Sequence, residues 1–251
     1  MKMLATAGGP LAYDVQGEGP PVLLLHAFPL GLAMWDAQVT ALRGQHQVIR
    51  FDDRGFGASP PGDGLLSMER IADDAAALLD HLGVAKAVVC GLSMGGYAAF
   101  AMVRRHADRL RGLVLADTRA PADTPEGREG RAALAQKVLG EGAVAAAEAF
   151  VPKLLGETTK RERPQVVARV REIVRGNPPR GDSTPTLREI RVPTLVVCGE
   201  EDTLTPPADA EALQRGIAGS RLVLVPRAGH LTNLEDPDAF NRAFLGFLGE
   251  I

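Results

Sequence analysis

The sequence predicts a single α/β domain built on a mostly parallel sheet with helices on both faces. Short runs of Val, Leu and Ile alternate with longer Ala-rich segments whose apolar residues recur at helical spacing. Several of the short runs are apolar throughout, as strands covered on both faces of a sheet require. A chain of 251 residues is also long enough to bury a large core within one domain.

Seven strands are predicted from the short apolar runs. They are Leu11–Val15, Val22–Leu25, Val48–Phe51, Ala87–Cys90, Leu113–Ala116, Thr194–Cys198 and Leu222–Val225. The helical spacing between them predicts five helices, which are Ala33–Leu42, Met68–Leu82, Met94–Arg105, Ala208–Gly216 and Asp238–Leu248. Ser67 precedes the second helix and is a suitable N-cap. This alternation of strands and helices predicts βα units and a mainly parallel sheet.

One long segment, residues 121–186, differs from the rest because it has helical spacing but no strand run. It contains three predicted helices, Gly130–Leu139, Ala143–Leu155 and Gln165–Arg175, and its helical spacing is broken off by the prolines Pro178, Pro179 and Pro185. We therefore predict a helical cap at residues 121–186, inserted into a core that is formed by residues 1–120 and 187–251.

The composition excludes several classes of protein. The net charge is −3 and the Lys and Arg residues are dispersed among Asp and Glu, so no basic face is available for a nucleic acid. No apolar run approaches the roughly 20 residues that span a membrane, and Met1–Pro10 lacks the apolar segment of a secretory signal. We therefore expect a cytoplasmic protein with neither nucleic-acid nor membrane partners. The sequence does not predict an oligomeric state.

Neither a cofactor nor a metal is expected. Cys90 and Cys198 each end an apolar run, where a small buried side chain is typical, and two isolated cysteines fit no ligand spacing. Gly55 and Gly57 are followed by Pro60 rather than by the third glycine and the helix that a dinucleotide-binding turn requires. The chain also lacks the G-x-x-x-x-G-K-[ST] pattern of a phosphate-binding loop.

The most informative motif is G-x-S-x-G at Gly91–Gly95, which lies between a predicted strand and a predicted helix. A nucleophilic serine must stand clear of the sheet on a tight turn, and Gly91 and Gly95 remove the Cβ atoms that would collide there. The helix after the turn directs free N–H groups and its positive end towards a developing oxyanion. Ser93 is therefore the candidate nucleophile, with a simple βα turn capped by Ser93 as the alternative.

A serine hydroxyl needs a base, which is usually a histidine. We favour His230, because Arg227–His230 lies between the last strand and the last helix. The carboxyl end of a strand is where open α/β sheets place their chemistry. The other histidines are interpreted as surface or loop residues: His26, His46, His81 and His106.

The base needs a carboxylate that fixes its tautomer, and two aspartates come after strands later in the chain than Ser93. Asp117 and Asp202 both suit the chain order of nucleophile, acid and base. We favour Asp202, because Gly199–Asp202 is a turn that can carry a side chain over the edge of the sheet. Asp117 is interpreted as a helix cap or turn residue.

Oxyanion stabilisation needs two N–H donors, and the first is expected from Met94 at the start of the helix. Strand Val22–Leu25 leads into His26–Pro29, a turn that could bring the N–H of Phe28 over the nucleophile. An ordinary βα connector is the alternative interpretation of this turn.

Taken together, these motifs resemble the α/β-hydrolase superfamily over nearly the whole chain. The oxyanion segment H-G-x-P resembles His26–Pro29, and the D-x-R-G-x-G-x-S turn resembles Asp52–Ser59. The nucleophile elbow resembles Gly91–Gly95. The acid and base turns resemble Gly199–Asp202 and Gly229–His230. The resemblance implies a mostly parallel sheet with a helical cap after the sixth strand.

The resemblance also implies that Phe28 and Met94 supply the oxyanion N–H groups. One departure is Ala27, where the family usually has glycine and where a positive φ would strain an alanine. The oxyanion and elbow motifs look most like those of small bacterial carboxylesterases, 3-oxoadipate enol-lactonases and cofactor-free haloperoxidases or perhydrolases. Only 4% of the residues are aromatic, and Trp35 and Phe28 are the ring-bearing candidates for the substrate pocket.

The sequence thus predicts a serine hydrolase that cleaves short-chain carboxylic esters or small lactones through an acyl-enzyme on Ser93. An enol-lactonase and a perhydrolase are the alternatives within the same fold, and Pro29 beside Phe28 resembles a feature of perhydrolases. The alternative from another class is a non-catalytic binding protein that holds a small ligand, because fold alone does not imply catalysis.

Overall fold

A computed structural model describes residues 1–63, 66–127, 129, 130, 133, 151–173 and 182–251. Eight strands form one sheet: β1 (Lys2–Leu4), β2 (Leu11–Gln16), β3 (Pro21–Leu25), β4 (Gln47–Phe51), β5 (Ala87–Leu92), β6 (Leu110–Ala116), β7 (Thr194–Gly199) and β8 (Arg221–Val225). Their order is β1-β2-β4-β3-β5-β6-β7-β8. Strand β2 runs antiparallel to β1 and β4, and all the other neighbours are parallel. The predicted fold class is confirmed.

The described helices are α1 (Asp36–Leu42), α2 (Met68–His81), α3 (Met94–Arg105), α4 (Glu157–Glu162), α5 (Pro164–Ile173), α6 (Pro207–Gly216), α7 (Thr232–Glu235) and α8 (Pro237–Leu248). The first predicted helix begins as a short 3-10 turn, Leu32–Trp35, which leads directly into α1. Ser67 caps α2 as expected, since its side chain accepts the N–H of Arg70. Strand β1 and the short helices α4 and α7 were not predicted.

The order of the strands reverses direction at β3. Strand β3 lies between β4 and β5, so the chain leaves β3 towards one side of the sheet and later returns to the other. In an open α/β sheet such a reversal opens a crevice outside the carboxyl ends of the strands. The loop after β3 therefore lies beside the turn between β5 and α3.

Two apolar cores cover the two faces of the sheet. Alternate residues of β3 divide between them, because successive side chains of a strand point to opposite faces. Leu23 and Leu25 join the core that α2, α3 and α6 cover, whereas Val22 and Leu24 join the core that α1 and α8 cover. Such two-sided burial explains why the strand runs are apolar throughout.

The predicted cap falls partly outside the described residues. Helix α5 corresponds to the predicted helix Gln165–Arg175, whereas the predicted helix Gly130–Leu139 and most of Ala143–Leu155 lie outside the described residues. A cap at 121–186 therefore stays a prediction. Among the helices that the structure describes, none has the length and apolarity needed to cross a bilayer.

The aromatic cluster between α8 and the 3-10 turn provides a test of the core. Phe240 has no exposed surface, and its ring centroid lies 6.1 Å from that of Trp35 and 6.0 Å from that of Phe244. Phe240→Ala should lower the free energy of unfolding by about 3–5 kcal/mol in urea denaturation, since a cavity replaces a buried ring. The control Leu224→Ala alters a side chain that is 37% exposed and should cost far less. Equal losses in the two variants would contradict this packing.

Candidate active site

The turn between β5 and α3 holds Ser93 in a strained conformation. Ser93 has φ 53° and ψ −108°, a region that residues with a Cβ rarely occupy. The end of β6 holds it there, since the Ser93 N–H donates to the carbonyl of Ala116 at 3.0 Å and the Thr118 hydroxyl donates to the Ser93 carbonyl at 3.0 Å. The hydroxyl of Ser93 is thereby lifted above the end of the sheet.

Two glycines make this turn possible by allowing backbones to touch. A Cβ on Gly91 would lie 2.2 Å from the carbonyl oxygen of Gly95. A Cβ on Gly95 would lie 2.1 Å from the carbonyl oxygen of Leu25, at the end of β3. Both glycines of the motif are therefore required by close approach, and the turn packs directly against the loop after β3.

The structure brings together the predicted nucleophile, base and acid, which are Ser93, His230 and Asp202. These three residues form the relay. The Nε2 atom of His230 lies 2.8 Å from the Oγ atom of Ser93, and its Nδ1 atom lies 2.8 Å from Oδ2 of Asp202. The carboxylate accepts a hydrogen bond from the Nδ1–H group, so the neutral ring keeps its proton on Nδ1. Its Nε2 atom is then free to accept the proton of the serine. All three side chains are buried. The arrangement can transfer a proton from Ser93 to His230; its catalytic use stays a prediction.

Asp202 is fixed by the turn after it. Its Oδ1 atom accepts the N–H groups of Leu204 at 2.8 Å and of Thr205 at 3.0 Å, and its Oδ2 atom accepts the Thr205 hydroxyl at 2.7 Å. Sequence reasoning did not identify Thr205. An aspartate with threonine three residues later is the available signal, because such carboxylates bond to the backbone just ahead of them.

The charged forms of Asp202 and His230 stabilise each other. Burial opposes the ionisation of Asp202, but the charge and hydrogen bond of His230 and the donors of Thr205 hold the pKa of the carboxyl below its ordinary value. Burial alone would lower the pKa of His230, but Asp202 raises it above its ordinary value. The imidazolium that forms when His230 takes a proton is therefore stabilised.

Asp117, interpreted from the sequence as a helix cap or turn residue, is a buried residue after β6 whose carboxylate bonds to two neighbouring turns. It has no exposed surface, and it accepts the N–H of Gly199 at 3.0 Å together with the N–H and hydroxyl of Thr232 at 3.0 and 2.6 Å. Burial and the charge of Asp202 raise the pKa of Asp117 to about 7. Of the two aspartates that the chain order allows, Asp202 is the one that contacts His230.

The loop after β3 is held by a second histidine. The Nε2 atom of buried His26 accepts the N–H of Asp53 at 3.0 Å, which leaves the proton on Nδ1 to be donated to the carbonyl of Ala27 at 3.0 Å. The same carbonyl accepts the N–H of Leu30 at 2.8 Å. Because the C=O and N–H of a trans peptide point in opposite directions, these two bonds fix the direction of the Phe28 N–H. His26 thus has a structural partner on each ring nitrogen.

Ala27 fits this loop without backbone strain. Among the described residues other than glycine, a positive φ occurs at Ser93, Asp117 and Arg227, and Ala27 is not one of them. The N–H of Met94 has no acceptor within its helix, because Met94 is the first residue of α3. The oxyanion roles of Phe28 and Met94 stay predictions.

The two ring-bearing pocket candidates lie in different surroundings. Phe28 is 8% exposed and packs edge-on against Phe56, with ring centroids 6.5 Å apart. Trp35 has no exposed surface and belongs to the core that α1 and α8 cover. A role for Trp35 in the substrate pocket stays a prediction.

One group of side chains has the spacing of a metal site. One carboxylate oxygen each of Asp117 and Asp202 and the Sγ of Cys198 lie within 4.8 Å of one another. Both carboxylates already accept hydrogen bonds from N–H and hydroxyl groups, and burial raises the pKa of the Cys198 thiol far above its ordinary value. A neutral thiol and two saturated carboxylates are poor ligands, so this group fits the relay better than a metal.

Two carboxylates join α4 to the turns of the relay. Glu201, which precedes Asp202, accepts both the N–H of Thr158, at 2.8 Å, and the Thr158 hydroxyl. Glu235 accepts the N–H of Gly156 at 2.8 Å and the N–H of Leu231 at 3.1 Å. Neither contact with Thr158 or Gly156 has a local signal in the sequence, because the partners are 43 and 79 residues apart.

Known proteins share this architecture. The family model described as the alpha/beta hydrolase fold matches residues 20–237. The chain is similar to 3-oxoadipate enol-lactonase 2 of Acinetobacter baylyi, with 29% identity over 91% of this chain and 88% of that protein. It is also similar to a thermophilic esterase from Thermogutta terrifontis, with 41% identity, a TM-score of 0.94, and coverage of 100% of this chain and 99% of the other. The enol-lactonase from Burkholderia xenovorans is 33% identical, with a TM-score of 0.91 and coverage of 99% and 100%.

The contact between Gly95 and β3 can be tested by adding one methyl group. Gly95→Ala should abolish turnover, since its Cβ would have to displace the Leu25 carbonyl and with it the loop that carries Phe28. The control is Gly246→Ala in α8, where a Cβ meets nothing within 4 Å and where helix propensity favours alanine by about 1 kcal/mol. Ester hydrolysis and thermal unfolding are measured for both. Full activity in Gly95→Ala would contradict the close approach.

Proposed function

The chain belongs to the α/β-hydrolase fold family, and from that membership we propose that it is a serine hydrolase that cleaves short-chain esters or small lactones through an acyl-enzyme on Ser93. The observation that carries the proposal is the relay of Ser93, His230 and Asp202, in which both hydrogen bonds measure 2.8 Å. The relatives described above are an esterase and two enol-lactonases, which supports ester and lactone bonds as the substrate class.

The first half of the proposed reaction acylates the enzyme. His230 takes the proton of Ser93 as its Oγ attacks the carbonyl carbon of the substrate. The N–H groups of Phe28 and Met94 stabilise the oxyanion, and the carboxylate of Asp202 stabilises the imidazolium. When the tetrahedral intermediate collapses, protonated His230 gives its proton to the departing alcohol. A lactone opens in this step and keeps its alcohol as part of the acyl chain.

The second half of the proposed reaction hydrolyses the acyl-enzyme and releases a carboxylic acid. A water molecule loses its proton to His230 and attacks the acyl carbonyl, and the same N–H groups stabilise the new oxyanion. His230 then returns the proton to the Oγ of Ser93 as the acyl bond breaks, and a carboxylic acid leaves. The chain needs no cofactor for either half, because proton transfer and oxyanion stabilisation complete the chemistry.

Residues 121–186 are proposed to roof the Ser93 pocket and to limit the length of the acyl group. In support, α4 and the residues before it contact the acid and base turns through Glu201 and Glu235. The insertion is also modest in size, and its Ala-rich sequence offers little bulk for a broad lipid groove. Short acyl esters and small lactones suit such a site better than long-chain triglycerides.

An activity-based probe tests whether Ser93 is a nucleophile. A fluorophosphonate should label the wild-type protein, and Ser93→Ala should abolish the labelling because it removes the hydroxyl that His230 activates. Ser93→Ala and His230→Ala should each lose nearly all ester hydrolysis, since the members of a relay act as a unit. Unchanged circular dichroism is the control for folding.

The same experiment separates the enzyme from a non-catalytic binding protein. A wild-type protein that is not labelled and does not hydrolyse aryl esters would support the binding protein. If Ser93→Ala kept more than about a tenth of the wild-type rate, the proposed nucleophile would be wrong, because relay removal normally leaves far less.

The acyl-length preference is tested with aryl esters of acetate, butyrate and palmitate. We expect kcat/KM for acetate or butyrate to exceed that for palmitate, since a modest roof over Ser93 limits the acyl chain. A small lactone in the same panel distinguishes a lactonase, and peracid formation from acetate and peroxide distinguishes a perhydrolase. If kcat/KM were higher for the palmitate ester than for both short esters, the insertion would be interpreted as a lipase lid instead.

A further inference from the structure

Asp117 holds together the two turns on which the relay depends. Gly199, whose N–H it accepts, ends β7 and begins the turn that carries Asp202. Thr232, whose N–H and hydroxyl it accepts, begins α7 just after His230. One carboxylate therefore bonds to the element that carries the acid and to the element that carries the base.

The backbone of Asp117 is strained in support of this arrangement. Its φ is 43°, in the left-handed region that residues with a Cβ rarely adopt. Its own N–H donates to the carbonyl of Val197 on the neighbouring strand β7 at 2.9 Å. An uncommon conformation persists when the surrounding contacts determine it, and here they turn the carboxylate towards Gly199 and Thr232.

The carboxylate of Asp117 also lies within the electrostatic reach of the relay. One of its oxygens is within 4.8 Å of an Asp202 oxygen, and its charge adds to that of Asp202 in raising the pKa of His230. Among the residues that the structure describes, other titratable groups near these side chains include the thiols of Cys90 and Cys198, Asp209 near Cys198, and Glu235 beside His230. The carboxylates of Asp202, Asp117 and Glu235 each favour a positive His230 in this buried site.

Protonation of His230 and ionisation of Asp117 support each other. Burial and Asp202 raise the pKa of Asp117, whereas His230 and the two donors of Thr232 oppose that rise. When His230 takes the Ser93 proton, its positive charge favours the ionised form of Asp117, and the ionised form favours the imidazolium. The charge states of His230 and Asp117 therefore depend on each other.

We propose that Asp117 is a positioning residue of the relay. It holds the turn that carries Asp202 against the turn that carries His230, and its negative charge stabilises the His230 imidazolium in addition to the hydrogen bond from Asp202. The inference rests on the proposed function, because it assigns Asp117 a part in the same proton transfer. The proposed role differs from a purely structural one because it requires the negative charge of Asp117 as well as its hydrogen bonds.

The test compares Asp117→Asn with the wild-type protein across pH. The acid limb of kcat/KM reports the pKa of His230 in the free enzyme, and the imidazole must be neutral to act as a base. Removing a nearby negative charge lowers that pKa, so we expect the acid limb to move to lower pH by about one unit. We also expect kcat to fall about tenfold with KM unchanged, because the charge acts on an imidazolium that forms during the reaction.

Glu201→Gln is the matched control. It removes a carboxylate next to Asp202 in the chain, but that carboxylate faces Thr158, and the groups that most raise the pKa of His230 are Asp202, Asp117 and Glu235. The acid limb should therefore stay at the wild-type pH. A second variant, Thr232→Val, keeps the carboxyl group of Asp117 but removes the hydroxyl that donates to it at 2.6 Å. It should favour protonated Asp117 and shift the acid limb in the same direction by less.

An NMR titration of the His230 ring gives a readout that does not need turnover. The His230 signal is assigned with His230→Gln, and thermal unfolding identifies any variant that fails to fold. A lowered His230 pKa in Asp117→Asn supports the proposed role of Asp117 even if the wild-type protein hydrolyses no ester, in which case the proposed function alone fails. The proposal would be overturned if the His230 pKa and the acid limb of Asp117→Asn stayed at the wild-type values. If Asp117→Asn does not fold, the same result in Thr232→Val would overturn it.

Discussion

Ser93 keeps a φ of 53°, which a residue with a Cβ holds only where its surroundings compensate for the strain. The compensation comes from three directions: the end of β6 bonds to its backbone, Gly91 lets the turn close on itself, and Gly95 lets the turn press against β3. The contacts with β6 and with β3 join the carboxyl ends of neighbouring parallel strands. The order of the strands therefore determines the position of the hydroxyl, and with it the geometry that His230 must match.

The second constraint is the cost of burying charge. Asp202 and His230 are both buried, and an isolated ion there would be strongly destabilising. Asp202 avoids that penalty through three donors from Leu204 and Thr205 in addition to the imidazole. Asp117 offsets part of it with three donors from Gly199 and Thr232, although burial still raises its pKa to about 7. The hydrogen bonds that offset the cost of burial also fix the two turns, so positioning and charge stabilisation have one physical origin.

Much of the fold could be predicted because buried parallel strands leave a strong pattern in the sequence. The seven predicted strands are all present, whereas the three-residue strand β1 at the edge of the sheet is too short to produce a pattern. Helix α4 contains two threonines and forms against Glu201, a contact that no local window contains. Asp117 and Asp202 look alike in sequence, since each comes after a strand. Only the packing of neighbouring turns determines which of them contacts the histidine.

The residues that lead into α4 are held over these turns mainly by groups that lie away from solvent. Two ion pairs, Glu162 with Arg227 and Asp36 with Arg169, join this part of the chain to the core. Exposed pairs of this kind contribute about 0–1 kcal/mol, so they add little to its attachment. The less exposed groups contribute more to the attachment. The carboxylates of Glu201 and Glu235 accept backbone N–H groups. Three apolar side chains are also buried in the core, and these are Val151, Leu154 and Leu155. Because Glu201 adjoins Asp202 and Glu235 accepts the N–H of the residue after His230, the residues that lead into α4 and the relay contact the same two turns.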